Sequence, residues 1–359
     1  MQMLDQPDSN WSPGLFEHLD RCLMCHACEA MCPSDVPYAR LMDAARARIE
    51  PRRRRSAAAR LARTAGFALL TSGRGRRVTS ALLRLARLLG GPRLAGLPGL
   101  PGGARRLLRL IPAAPPASKP QPGPAARRGR VNLFSGCTGE LLDGATLQAT
   151  RRLLHRLGYE VVAPAQQVCC GALHQHGGRP RAAEALASAN CAAFSGNDDP
   201  IISFASGCCA QLLGYGVKGP DGAALAGRVS DIVTFIDEQP DHALRFKAFD
   251  EKVALHIPCT QRNLLGQDAL MRVLRRIPDI DVSLVNPAGG CCGAAGSYML
   301  EQVELADRLG ESMAQRVLAT GAHTLLTTNI GCSLHLAAAV RQRGVQVLHP
   351  VALLERLAY

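Results

Sequence analysis

The stretches "QQVCCGA" at 166–172 and "AGGCCGA" at 288–294 decide how this chain is read, because each is one landmark in a longer duplication. "VNLFSGCT" at 131–138 is answered by "VALHIPCT" at 253–260, and "SGCCAQL" at 206–212 by "IGCSLHL" at 330–336. "VSDIVTFIDE" at 229–238 is answered by "VLHPVALLER" at 347–356. The offset is 122 residues from Cys137 to Cys259 and from Cys169 to Cys291, and 124 from Cys208 to Cys332. A near-constant offset over four landmarks marks an internal repeat.

Each repeat alternates strand and helix patterns. In the second, "KVALHI" reads as a strand, "QDALMRVLRRI" as a helix and "DVSLVN" as a strand. "VELADRLGESMAQRVLATG", "SLHLAAAVRQRG" and "VALLERLAY" then read as helices around the strands "HTLLTTN" and "VQVLHP". Alternating β and α elements predict an α/β fold with parallel sheets and covering helices, joined by right-handed crossovers. The cysteines fall directly after strands: Cys137, Cys169, Cys170 and Cys208 in one repeat, Cys259, Cys291, Cys292 and Cys332 in the other. The carboxyl edge of a parallel sheet is where such folds bind ligands, so the four thiols of each repeat are expected to converge there.

Thiolates are soft ligands that select zinc or iron–sulfur clusters. Zinc sites usually show paired C-x2-C knuckles, which these repeats lack. Adjacent thiols suit a centre with several irons, and Gly289, Gly290, Gly293 and Gly296 would bring backbone amides close to sulfur. Fourteen cysteines grouped in this way argue for metal ligation and against a disulfide framework.

Upstream, "CLMCHACEAMCP" at 22–33 spaces Cys22, Cys25, Cys28 and Cys32 as bacterial ferredoxins do to hold [4Fe–4S] clusters. In two-cluster ferredoxins the fourth cysteine of such a run crosses to the other cluster, yet this run occurs here once. Cys32 then either folds back to complete one cluster, which is the reading we favour, or leaves a three-thiolate site. A partner chain or an upstream segment supplying the other half is the third arrangement. The expected organisation is a ferredoxin-like segment at 1–50, a connector at 51–130 and cysteine-rich repeats at 131–246 and 247–359.

The connector carries the charge. The whole chain is net +13, but 51–130 holds nineteen Lys or Arg and no Asp or Glu, leaving the rest at −6. "VTSALLRLARLLGG" places Leu82, Leu85, Leu88 and Leu89 on one side of a helix, and "ARRLLRLI" at 104–111 is a shorter version. The segment reads as a solvated basic connector with one or two packed helices, or as a dock for an anionic membrane surface or acidic partner. No stacking aromatics are interleaved with the arginines, so nucleic acid is not expected. No apolar run reaches the ~18 residues needed to span a bilayer. The first 30 residues lack a signal-peptide order, which makes a cytoplasmic location the expectation. No G-x-G-x-x-G fingerprint follows a strand and no nucleophile–base pair is visible, so no catalytic residue is assigned.

The CCG repeats resemble the cysteine-rich domains of heterodisulfide reductase, anaerobic glycerol-3-phosphate dehydrogenase and lactate-utilisation iron–sulfur subunits. Over nearly the whole chain, "HLDRCLMCHACEAMCPSDVPYARLMDAAR", "TTNIGCSLHL" and "VLHPVALLERL" are similar to the glycolate oxidase (glycolate dehydrogenase) iron–sulfur subunits. That resemblance implies an electron-transfer subunit beside flavoprotein partners, passing electrons from 2-hydroxy-acid oxidation towards the respiratory chain. Further clusters are expected at the repeats, and the basic segment is expected to seat the complex on the inner face of the membrane or on its partner. A heterodisulfide-reductase-like catalytic subunit is the alternative, as is the iron–sulfur subunit of a lactate or glycerol-3-phosphate system. The fuller family motif ends in C-x2-C, giving five thiols per repeat. Here Ala205 and Asn329 stand at the first position of that pair, with Cys209 as an additional thiol in the first repeat. Cys191 is expected to be a small core residue and His26 to be exposed rather than iron-bound, while His256 and His335, which flank the second site, are expected to pack, with donation to sulfur as the alternative.

Overall fold

The computed structural model describes residues 13–53, 55–112 and 128–359. The Pro/Ala-rich end of the connector at 113–127 lies outside the described residues. Each repeat is built on a four-stranded parallel sheet. The first holds β1 (Gly129–Phe134), β2 (Tyr159–Val162), β3 (Ile201–Ser203) and β4 (Val229–Asp231) in the order β2-β1-β3-β4. The second holds β5 (Lys252–Leu255), β6 (Asp281–Leu284), β7 (Thr324–Leu326) and β8 (Gln346–Leu348) in the order β6-β5-β7-β8. The inner strands are largely apolar, and Leu133, Ile201, Ile202, Val253, Ala254, Leu255 and Leu325 are fully buried. Burial on both faces is what a parallel sheet requires.

Strand order explains why thiols gather. The chain leaves β1 towards β2 and leaves β3 towards β4, so adjacent inner strands send their connections in opposite directions. This opens a crevice at their carboxyl ends. Cys137 begins the helix Cys137–Leu142 that follows β1, Cys208 lies in the helix Ser206–Leu213 that follows β3, and Cys169 and Cys170 come in on the loop after β2. The second repeat repeats the plan with Cys332 in the helix Ile330–Val340 and Cys259 just ahead of a five-residue π turn, Gln261–Leu265.

The two repeats share a core. Helix Gly144–Arg156 packs on Pro350–Leu357, and helix Ile232–Asp237 packs on Asp268–Arg275. Ile232, Val233 and Ile236 join Leu270, Val273, Leu353 and Leu354 in one apolar cluster. Equivalent ion pairs close both contacts: Arg152 donates to both oxygens of Glu355 at 2.7 and 3.1 Å, and Arg272 donates twice to Asp237 at 2.9 and 2.7 Å. Asp237 and Glu355 occupy matching positions in the duplication, so the repeats meet as near-symmetric halves.

The connector is a strap rather than a free linker. Helix Ala57–Thr71, which carries no strong apolar periodicity in the sequence, buries Phe67 and Thr71 against the first repeat, with the Arg179 guanidinium 4.5 Å above the Phe67 ring. On the second repeat, Arg106 of helix Gly102–Arg109 donates to the Met299 carbonyl at 2.6 Å. Its arginines meet acids from outside the segment: Arg53 with Asp20, Arg55 with Glu50, Arg63 with Glu301, Arg76 with Glu140 and Arg106 with Asp307. The leucine face of helix Gly73–Leu88 does not pack: Leu82, Leu85 and Leu88 are 54%, 52% and 85% exposed.

Candidate metal centres

In each repeat four aligned thiols form a continuous chain of contacts. Cys137 Sγ lies 3.3 Å from Cys169 Sγ, and Cys170 is hydrogen-bonded to both Cys169 and Cys208. In the second repeat Cys259 is hydrogen-bonded to Cys291, Cys292 to Cys291, and Cys292 Sγ lies 2.8 Å from Cys332 Sγ. The electrostatics also repeat. Hydrogen bonds from Cys137 and Cys170, with a third from the Gly171 N–H at 3.4 Å, hold the Cys169 thiol well below its ordinary range. Cys259, Cys292 and the Gly293 N–H at 3.3 Å do the same for Cys291. The thiol partners themselves are pushed up: Cys137, Cys170, Cys259 and Cys292 by their bonds to neighbouring sulfur and by burial. Each quartet thus has one thiol held low by its neighbours, with a glycine amide already aimed at its sulfur.

Two amide side chains hold these loops together, and neither was legible in advance. Gln167 Oε1 accepts from the Ser135 N–H at 2.8 Å while its Nε2 donates to the Leu133 carbonyl at 3.2 Å. Asn286 Oδ1 accepts from the Ile257 N–H at 3.0 Å and its Nδ2 donates to the Ile257 carbonyl at 2.8 Å. Ser135 and Ile257 are equivalent, but Gln167 and Asn286 are not, so the same clamp is made from different positions. Asn286→Ala leaves two buried backbone groups unmet at about 1–3 kcal/mol each. It is expected to lower the thermal midpoint and the metal retained by the second repeat, both measurable on the purified protein.

The ferredoxin-like run docks on the second repeat. Asn263, from the π turn, donates to the Cys25 carbonyl at 2.7 Å, and Arg46 donates to the Cys22 carbonyl at 2.7 Å and to the His176 carbonyl at 3.0 Å. Met24 and His26 take positive φ of 51° and 59°, so the chain wraps tightly between the cysteines. Burial pushes the Cys25 thiol up, and the neighbouring Cys291, Cys22 and Cys28 add to the effect. Cys28 is exposed. Cys32 stands apart: its thiol is lowered chiefly by hydrogen bonds with the backbone of Val36 and Ser34 and with Tyr38, and Cys22, Cys25 and Cys28 are not among the groups acting on it.

Other expectations resolve individually. Cys209 is fully buried, its thiol pushed up by burial and by Asp231, while Cys208 one position earlier meets Cys170. Successive helical residues point about 100° apart, which separates the two. Asn329 caps the helix Ile330–Val340, its Oδ1 accepting from the Gly331 N–H at 2.9 Å. Cys191 packs beside the first repeat's core, His26 is paired with Glu29, and His335 is turned to the Ala306 carbonyl at 2.9 Å. His256 behaves differently. It is buried, and burial pushes its pKa down to about 4. Its Nδ1 lies 3.0 Å from Thr327 Oγ1, and its Nε2 has no hydrogen-bond partner. His174, unremarked in the sequence, is similarly buried beside Cys169 in the first repeat, with Nε2 3.2 Å from Thr71 Oγ1.

Comparison with known proteins gives these centres a family. The cysteine-rich domain (CCG) family model matches residues 131–213 and 253–337, which carry the two quartets. The chain is 32% identical over 356 residues to the glycolate oxidase iron–sulfur subunit of Escherichia coli (strain K12), covering 95% of this chain and 82% of that protein. This chain belongs to the family of glycolate oxidase iron–sulfur subunits. A second member, the probable glycolate oxidase iron–sulfur subunit of Bacillus subtilis (strain 168), is 31% identical over 91% of this chain and 78% of its own length. More distantly, a lactate utilization protein of Oceanobacillus iheyensis is 26% identical over 61% of this chain and 94% of its own length. Among the described residues, no helix is long and apolar enough to cross a membrane.

Proposed function

We propose that this chain is the electron-transfer subunit of a glycolate-type 2-hydroxy-acid dehydrogenase, with three iron–sulfur centres. Cys22, Cys25 and Cys28, with Cys32 completing the set, would hold a [4Fe–4S] cluster, and the quartets Cys137/Cys169/Cys170/Cys208 and Cys259/Cys291/Cys292/Cys332 would each hold a further cluster. The donor sets fit such groups, since each quartet is all-sulfur and carries an N–H···S bond from a glycine. Bound clusters supply one-electron storage; the chain's own part is positional. The observation that carries the reading is that the ferredoxin-like run is held on the second repeat, Asn263 donating to the Cys25 carbonyl at 2.7 Å. Oxidation of the hydroxy acid then belongs to a flavoprotein partner, for which the exposed Cys28 edge offers a point of approach. Anaerobic purification of the tagged chain from its host is expected to yield a brown complex containing a flavoprotein, whose visible absorbance bleaches on adding glycolate. A colourless, zinc-loaded protein would refute the proposal.

The same proposal seats residues 51–130 on the inner face of the membrane. Helix Gly73–Leu88 has no acidic residue and leaves Leu82, Leu85 and Leu88 exposed among its arginines, the composition of an interfacial helix. Co-sedimentation with anionic vesicles, absent with neutral ones and weakened at least tenfold by Leu85→Asp, is the expected result.

A further inference from the structure

We propose that His256 is a nitrogen ligand of the second repeat's metal centre, bound through Nε2, so that this centre has a mixed thiolate–imidazole donor set while the first is all-thiolate. The inference rests on the proposed function and deepens it. Among the described residues, His256, Cys292 and Cys332 form the one set of three candidate ligand residues whose donor atoms all lie within 4.8 Å of one another, and all three are buried. The imidazole is 1% exposed and its Nε2 lacks any hydrogen-bond partner. A polar atom left in that state costs about 1–3 kcal/mol. Coordination removes the cost.

The other side of the ring is arranged for ligation. A metal-bound imidazole usually donates its second N–H to a fixed acceptor, which sets the tautomer. Thr327 Oγ1, 3.0 Å from Nδ1, is placed to be that acceptor, which leaves the unpartnered Nε2 as the nitrogen available to a metal. The fold does not need a histidine here. Phe134 occupies the equivalent position in the first repeat and is as fully buried. His174 does not supply a counterpart there, because it belongs to no comparable set of ligand atoms among the described residues. The two centres are therefore built to differ. An imidazole bound in place of one of the four thiolates puts a neutral donor where the first centre has an anionic one, which raises an iron–sulfur potential. With the ferredoxin-like run held on this repeat through Asn263, the higher-potential centre is the one beside that run.

Pulsed EPR of the reduced full-length protein, grown with 14N- or 15N-histidine, tests this directly. The expected result is a strong histidine nitrogen coupling that changes with the isotope, is lost in His256→Phe and persists in His174→Phe. His256→Cys is expected to keep the centre and shift it to lower potential. Iron–sulfur signals without any isotope-dependent histidine coupling would overturn the inference and leave the electron-transfer reading intact. So would a coupling that survives His256→Phe, or one no stronger than a backbone amide's. Should His256→Phe fail to fold, the isotope comparison on the unsubstituted protein and the His256→Cys shift decide. A protein without iron would overturn both.

Discussion

Cys292→Ser is expected to strip the second repeat of its metal while the first repeat and the Cys22–Cys28 run stay loaded. Cys292 is buried at the middle of its quartet, in contact with Cys291 on one side and 2.8 Å from Cys332 on the other. A serine there breaks the chain of sulfurs and leaves a hydroxyl, a harder donor, where soft ligands are selected. Cys170→Ser should produce the mirror result, because Cys170 joins Cys169 to Cys208 in the same way. The readout is iron per chain together with the reduced-state EPR spectrum of each variant. Independent loss in the two variants identifies two separate centres. Loss of all signals in either one would mean a single centre shared across the repeat boundary.

The second large effect belongs to the glycine of the second CCG. Gly293 has φ of +88°, and a Cβ there would lie 2.5 Å from the Ala306 carbonyl oxygen and 3.1 Å from both Ala306 Cα and Leu309 Cβ. Helix Val303–Ala319 thus runs directly over this glycine, and backbone cannot swing aside as a side chain can. Gly293→Ala combines left-handed strain with an overlap that only movement of the helix relieves. A loss of about 3 kcal/mol or more is expected. Gly171 has the same φ, but its nearest contacts would be 3.3 and 3.4 Å, so Gly171→Ala should cost about 1–2 kcal/mol. Thermal or denaturant unfolding of the two variants separates them, and equal losses would show that strain alone sets the cost.

The thiol quartets were legible in the sequence because the duplication fixes their positions after strands, and a parallel sheet brings strand ends together whatever the intervening residues are. The CCG glycines were legible as permissive positions, but not their ranking, which depends on a helix arriving from ten residues further along the chain. Gln167 and Asn286 were not legible, since the clamp they share is made from positions that do not align. His256 was visible as a neighbour of the site, yet its orphaned Nε2 is a property of packing. The connector misled in part. Its leucine stripe suggested a packed helix, whereas the packing is done by Ala57–Thr71 through Phe67, a single aromatic in a stretch whose periodicity is weak. Docking of the Cys25 loop on the second repeat depends on Asn263 in a π turn, and no local pattern announces such a turn.

Iron and acid-labile sulfide per chain, measured on anaerobically purified protein alongside EPR of the reduced state, test the central claim most directly. Iron and sulfide in comparable amounts, with three distinguishable signals of which one is lost in Cys25→Ser, one in Cys170→Ser and one in Cys292→Ser, is the predicted result. Zinc in place of iron, or iron without sulfide, would contradict it.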